Sequence, residues 1–139
     1  MKKLILDTNI IISALLKDSI TREIIFHFSG ELYFVSFSKE EIQKYEEYLC
    51  IKTKKDKEEL NKIFKNLLNK LRIIDDNIVN TKIDEASKIM DKIDADDTPF
   101  IAAALAIEAD IWSDDKHFEK QNIIKVWKTS EIYKIFTEE

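Results

Sequence analysis

A single glycine and a single proline punctuate the 139 residues. Hairpin-rich β folds need glycine in their tight turns, so this scarcity argues against an all-β chain and for helices joined by short polar turns. The few stretches that cannot be helices then become decisive. Residues 3–6 are too short for a helix, and their LIL centre runs directly into Asp7-Thr8-Asn9, so they read as a buried strand ending in a turn. Residues 32–35, 72–74, 111–113 and 123–127 supply four more candidate strands.

Helical spacing fills the intervals. Apolar residues recur with a helical period over residues 10–16 and 20–28, with Gly30 as the stop. Ser38 to Glu41 has the S-x-x-E pattern of a capping box and leads into Ile42, Tyr45, Tyr48 and Leu49, of which Ile42 and Tyr45 are expected to bury. Leu60, Ile63, Phe64, Leu67, Leu68 and Leu71 form one stripe, and Ile83, Ala86, Ile89, Met90 and Ile93 another. Pro99 fits the first turn of a helix that continues through FIAAALAIEA. Strands alternating with helices predict an α/β domain, a mostly parallel sheet of about four to five strands with helices on both faces. The length suits one domain over residues 1–139.

Apolar residues at 45% and charged residues at 35% indicate a globular chain. The lone Cys50 cannot form an internal disulfide, the start MKKLILDTN is no signal-peptide core, and no run is long enough for a membrane span, so a soluble cytoplasmic protein is expected. A net charge of −5 speaks against a broad nucleic-acid-binding face, although residues 52–70 hold seven Lys against three acids. That stretch reads either as a solvated helix face or as a local cationic surface, with Lys52, Lys54 and Lys55 as substrate-contact candidates.

Acids gather where a parallel sheet binds ligands, beyond the carboxyl ends of its strands. Asp7 follows the first strand, Asp114 and Asp115 follow the fourth, and Glu41 and Asp97 open helices. Each has a plain alternative. Glu41 could complete the capping box, Asp96 and Asp97 could favour the positive end of the Pro99 helix, and Asp114 and Asp115 could be turn residues. Asp94 reads as solvent-facing, His27 as a core-edge residue, and His117 as a surface imidazole or a phosphate contact. Asn9 and Ser113 could partner Asp7 or serve turns and caps. Converged, the acids would make an oxygen-rich site for Mg²⁺ or Mn²⁺.

The segments DTN at 7–9, EEI at 40–42, DADDTPFIAAAL at 94–105 and WSDDKHF at 112–118, in this order, resemble the PIN domain family, in its prokaryotic single-domain branch that includes VapC-type toxin ribonucleases. The resemblance implies a three-layer α/β/α fold and a metal-dependent endoribonuclease leaving a 5′ phosphate and a 3′ hydroxyl. It places the metal-binding and catalytic acids at Asp7, Glu41, Asp97 and Asp115, with Asn9 and Ser113 in support. Asp114 stands where many members carry Gly or Asn, so Asp114 and Asp115 remain alternatives, as do Glu40 and Glu41. An RNA substrate, an antitoxin partner and a homodimer belong to the same expectation. Competing readings are a PIN fold that binds RNA or protein without cutting, and a receiver-like Mg²⁺-binding phosphoacceptor using Asp75 or Asp76 and Lys128. A haloacid dehalogenase-type phosphotransferase would need an acid where this chain has Asn9.

Overall fold

The computed structural model describes residues 2–16 and 19–138. Strands β1 (Lys3–Leu6), β2 (Glu31–Val35), β3 (Arg72–Ile74), β4 (Asp110–Trp112) and β5 (Val126–Trp127) pair in parallel throughout, in the order β3-β2-β1-β4-β5. In register, Leu6 stands beside Phe34 on one side and Trp112 on the other. Side chains alternate across a strand, so Leu4 and Leu6 enter one core and Ile5 the other.

The first core is closed by α1 (Thr8–Leu16), α2 (Ile20–His27), α3 (Ser38–Lys44), α4 (Glu46–Thr53) and α5 (Lys57–Leu68), with a contribution from the last helix. The second is closed by α6 (Asp76–Asn80), α7 (Ile83–Met90) and α8 (Thr98–Ile107). The last helix is α9 (Thr129–Glu138), whose Ile132 returns to the first core. This is the three-layer α/β/α arrangement expected from the sequence. Among the described residues no helix is long and apolar enough to cross a membrane.

Several local expectations change. The stripe beginning at Ser38 is two helices, α3 and α4, broken at Tyr45, where the backbone leaves helical geometry. Ile42 buries as expected, but Tyr45 is turned out and 47% exposed. The fourth strand lies one residue earlier than predicted. The fifth is shortened to Val126–Trp127, because the Gln121 side chain donates to the carbonyls of Phe118 and Ile124 and accepts from the amides of Ile123 and Ile124, closing a loop there. Helices α6 and α9 were not anticipated, the first being too short to show a period.

Scarce glycine leaves a trace in the backbone. Lys54 after α4 and Glu108 after α8 end their helices in the left-handed region, at φ 58° and 55°, where an L side chain costs about 1–2 kcal/mol. Gly30, expected to stop α2, does something else. The helix already ends at His27 on an extended Phe28, and a Cβ on Gly30 would lie 2.5 Å from the Lys2 carbonyl oxygen and 2.7 Å from the Phe28 ring. The next amide, of Glu31, donates to that same carbonyl at 2.7 Å. Gly30→Ala is therefore expected to force β1 and β2 apart at their entry and lower stability by about 1–3 kcal/mol, measured by urea unfolding.

Candidate metal centre

The chain passes from β1 to β2 on one side, while β4 flanks β1 on the other, so a crevice opens at the carboxyl ends of β1 and β4. The backbone at its lip is fixed by ladder bonds that outlast the strands. The Asp7 amide donates to the Trp112 carbonyl, and the Ser113 amide to the Trp127 carbonyl, each at 3.1 Å.

Asp7 is buried at 5% exposure and held on both oxygens. The Asn9 amide donates to Oδ1 at 2.9 Å, and the hydroxyl of fully buried Ser113 makes a short hydrogen bond to Oδ2. Ser113 Oγ in turn accepts from the Asp115 amide at 3.0 Å, so one hydroxyl ties the acid after β1 to the loop after β4. Asn9 thus contributes through its backbone.

Glu41 arrives by a route the S-x-x-E reading did not supply. The capping box does not form: Phe37 takes the N-cap position and Ser38 is the first helical residue. Thr8 Oγ1 instead donates to Glu41 Oε1 at 2.7 Å and lies 2.9 Å from Ser38 Oγ, locking α3 to the start of α1. Glu40 is exposed on the outer face. Thr8 was missed because only the fold brings it to α3, thirty-three residues away from Glu41 in sequence.

Asp97 occupies the N-cap of α8 yet makes no capping bond, and its Oδ2 is buried without a hydrogen-bond partner among the described residues. Of the adjacent acids after β4, Asp114 is taken up by α9: its carboxylate accepts from the Thr129 amide at 2.8 Å and hydroxyl at 2.7 Å. Asp115 remains at the crevice. Asp94, expected to face solvent, is half-buried, and His117 turns Nδ1 inward, 3.0 Å from Asp94 Oδ2, 3.5 Å from Asp115 Oδ1 and 3.9 Å from Asp97 Oδ2. His27 is exposed beside Phe136. Lys52 lies in the last turn of α4 and Lys54 and Lys55 directly after that helix, and among the described residues none is ion-paired with the acids.

Burial pushes the Asp7 carboxyl above the usual range; bonds from Ser113 and Asn9 offset this, while the charges of Asp115 and Glu41 add to it. Asp97 is pushed up to about 7, first by burial and then by Asp94, Asp115 and Asp7, with His117 opposing. Asp7 thus lies in the field of Asp115 and Glu41, and Asp97 in that of Asp94, Asp115 and Asp7. A buried oxygen without a donor, surrounded by hard oxygen ligands, fits a divalent cation. An open pocket of about 220 Å³ beside Asp115 is lined by Asn9, Ile10, Ser13, Asp114 and Asp115. A larger apolar groove of about 310 Å³ between α1 and α3 to α5 has none of these acids in its lining.

A model of the PIN domain matches residues 5–136. The chain belongs to the PIN domain family. Members of this family are generally nucleases that use divalent metals. No protein of curated function matches the chain. Among solved structures it is similar to a chain of VapBC2 from Rickettsia felis bound to a DNA fragment from their promoter, at 19% identity and a TM-score of 0.68 over 91% of this chain and 98% of that one. A chain of DNA-bound VapBC from Salmonella typhimurium aligns at 16% identity and a TM-score of 0.70, covering 93% of this chain and 99% of that one. PAE2754 from Pyrobaculum aerophilum aligns at 10% and 0.71, over 99% of this chain and 91% of that one. At such identities the likeness establishes the PIN fold alone.

The raised Asp97 has a consequence for metal-free protein. Its folded pKa of about 7 exceeds the ordinary 3.8, so between those values the folded state holds a proton that the unfolded state has lost. Stability from this group is full below about pH 3.8 and declines as pH rises toward 7. In EDTA, Asp97→Asn is expected to flatten the fall in melting temperature between pH 5 and 7.5 and to raise the value at pH 7.5 by several degrees. Saturating Mn²⁺ should stabilise the unsubstituted protein at that pH and the variant far less.

Proposed function

We propose that this chain is a single-domain, divalent-cation-dependent endoribonuclease. The observation that carries this reading is a buried, undonated carboxylate oxygen of Asp97 that lies in the field of Asp94, Asp115 and Asp7, with Glu41 and Asp115 acting in turn on Asp7. In this reading Asp7, Asp97 and Asp115, with Glu41, hold Mg²⁺ or Mn²⁺; the bound ion would activate water and offset charge on the leaving oxygen. Ser113 fixes the rotamer of Asp7 and Thr8 that of Glu41, so the ligands are positioned before the ion binds.

For the substrate, RNA is favoured by a surface beside Glu41. Tyr45, one helical turn beyond Glu41, and Tyr48 are each 47% exposed with rings 6.5 Å apart, and Lys52 Nζ lies 5.9 Å from the Tyr48 ring. Exposed aromatics beside lysines suit unpaired bases and their phosphates. Lys52, Lys54 and Lys55 serve substrate approach rather than chemistry. Likeness to chains from VapBC assemblies supports a toxin role with an antitoxin partner that blocks the site, and a homodimer belongs to the same reading.

The phosphoacceptor alternative fits poorly. Receiver-type sheets run 2-1-3-4-5, putting the third strand beside the first. Here β2 separates them, Asp75 caps α6, Asp76 accepts from Ser36, and Lys128 is paired with Glu119.

The test is cleavage of a panel of labelled single-stranded and structured RNAs with Mg²⁺ or Mn²⁺. Asp7→Asn and Asp97→Asn are expected to cut at least about 100-fold more slowly, and Ser113→Ala to need roughly 10–100-fold more metal. Tyr48→Ala should raise KM with little change in kcat. RNA bound tightly but left uncut in either metal would favour the binding-module reading.

A further inference from the structure

The four-carboxylate reading leaves two members of the cluster unused, Asp94 and the half-exposed His117. His117 follows Asp115 by two residues, and its backbone amide donates to Asp115 Oδ1 at 2.9 Å, which fixes the loop and aims the ring inward. Nδ1 then lies among carboxylates from two loops, those of Asp94 and Asp97 on one and Asp115 on the other.

An ordinary ion pair would point the Nδ1 proton at one oxygen. Here the atom is buried, and despite the 3.0 Å approach of Asp94 Oδ2 it makes no hydrogen bond of acceptable direction among the described residues. Distance without direction is what two ligands of one ion show. With metal–ligand bonds of about 2.1 Å, adjacent donors of an octahedron lie ~3.0 Å apart and opposite ones ~4.2 Å, each neighbour sitting ~45° off the axis of the other's lone pair. The observed separations of 3.0, 3.5 and 3.9 Å fall within that range. One donor atom each from Asp94, Asp97 and His117 lies within 4.8 Å of the others. Asp97 Oδ2 is likewise buried without a donor.

We propose that His117 Nδ1 and Asp94 are ligands of the divalent cation, making this a mixed nitrogen and oxygen site that selects Mn²⁺ over Mg²⁺. The inference rests on the metal-dependent reading above and specifies its ligand set. Mn²⁺ shares the carboxylate, carbonyl and water ligands of Mg²⁺ but, as a first-row transition ion, also accepts a nitrogen donor, whereas Mg²⁺ is bound through oxygen. The nitrogen should therefore strengthen Mn²⁺ binding and contribute little to Mg²⁺.

The experiment is calorimetric titration of the full chain with each ion alone, for the unsubstituted protein, His117→Gln and Asp94→Asn. It is paired with pulsed electron paramagnetic resonance of the Mn²⁺ complexes, which detects a coordinated imidazole nitrogen. Thermal melting in EDTA checks that each variant folds. The unsubstituted protein should show the ¹⁴N coupling. His117→Gln should lose it and bind Mn²⁺ roughly 10–100-fold more weakly, with Mg²⁺ affinity changed by no more than about twofold. Asp94→Asn should keep the coupling while weakening Mn²⁺. Mn²⁺ bound without ¹⁴N coupling, or His117→Gln keeping the full preference for Mn²⁺, would overturn the assignment and leave the four-acid site standing. Failure of the unsubstituted protein to bind either ion would overturn both.

Discussion

Repulsion among carboxylates that the fold forces together is the constraint on which the rest of this structure turns. Two unit charges 4–5 Å apart repel by roughly 3–4 kcal/mol at an effective dielectric of 20, against a total stability of roughly 5–15 kcal/mol for an ordinary domain. Several such pairs cannot stand unrelieved. The molecule relieves them partly by hydrogen bonds, with Ser113 and the Asn9 amide on Asp7, Thr8 on Glu41, and the His117 amide on Asp115. Asp97 receives none on its buried oxygen, and there the strain appears as a raised pKa.

The sheet order explains why these residues meet. With β1 between β2 and β4, the loops that follow all three strands open on one edge, and the short 3-10 turn at Ala95–Asp97 brings a fourth contribution at the start of α8. Burial of Leu4 and Leu6 on one face and Ile5 on the other fixes the register of β1, and register fixes where Asp7 emerges. A one-residue slip would exchange both faces and point the acid away from Ser113. Core packing and site geometry are therefore one property of the first strand.

The sequence shows most of this at the level of elements, because a short apolar run followed by an acid is a local signal. Strands 3–6 and 72–74 have the bounds read from the sequence alone, Asp7 follows the first of them, and Asp97 stands at the start of the Pro99 helix. What escaped are choices made by tertiary contact. Nothing local tells that Ser38 and Glu41 will answer Thr8 instead of each other, or that Thr129 will claim Asp114 and leave Asp115 at the crevice. Tyr45 looked like a core residue because its spacing assumed one continuous helix, and the break at Tyr45 turned it outward.

Asp94 and His117 mark the sharper limit. Each, read alone, has the character of a surface residue, and each is in fact only partly covered, with side chains 28% and 45% exposed. Their significance lies in direction, since the same Asp94 carboxylate that accepts from the Asp96 amide through Oδ1 presents Oδ2 to the imidazole. One oxygen shapes the turn and the other faces the cluster. Capping through Oδ1 leaves Oδ2 free to face the cluster, so the cap at Asp94 is compatible with the ligand role proposed above. The same holds for Asp97, which occupies a helix N-cap while leaving its buried oxygen undonated. What separates an acid that merely caps from one that also serves chemistry is the state of the oxygen the cap does not use.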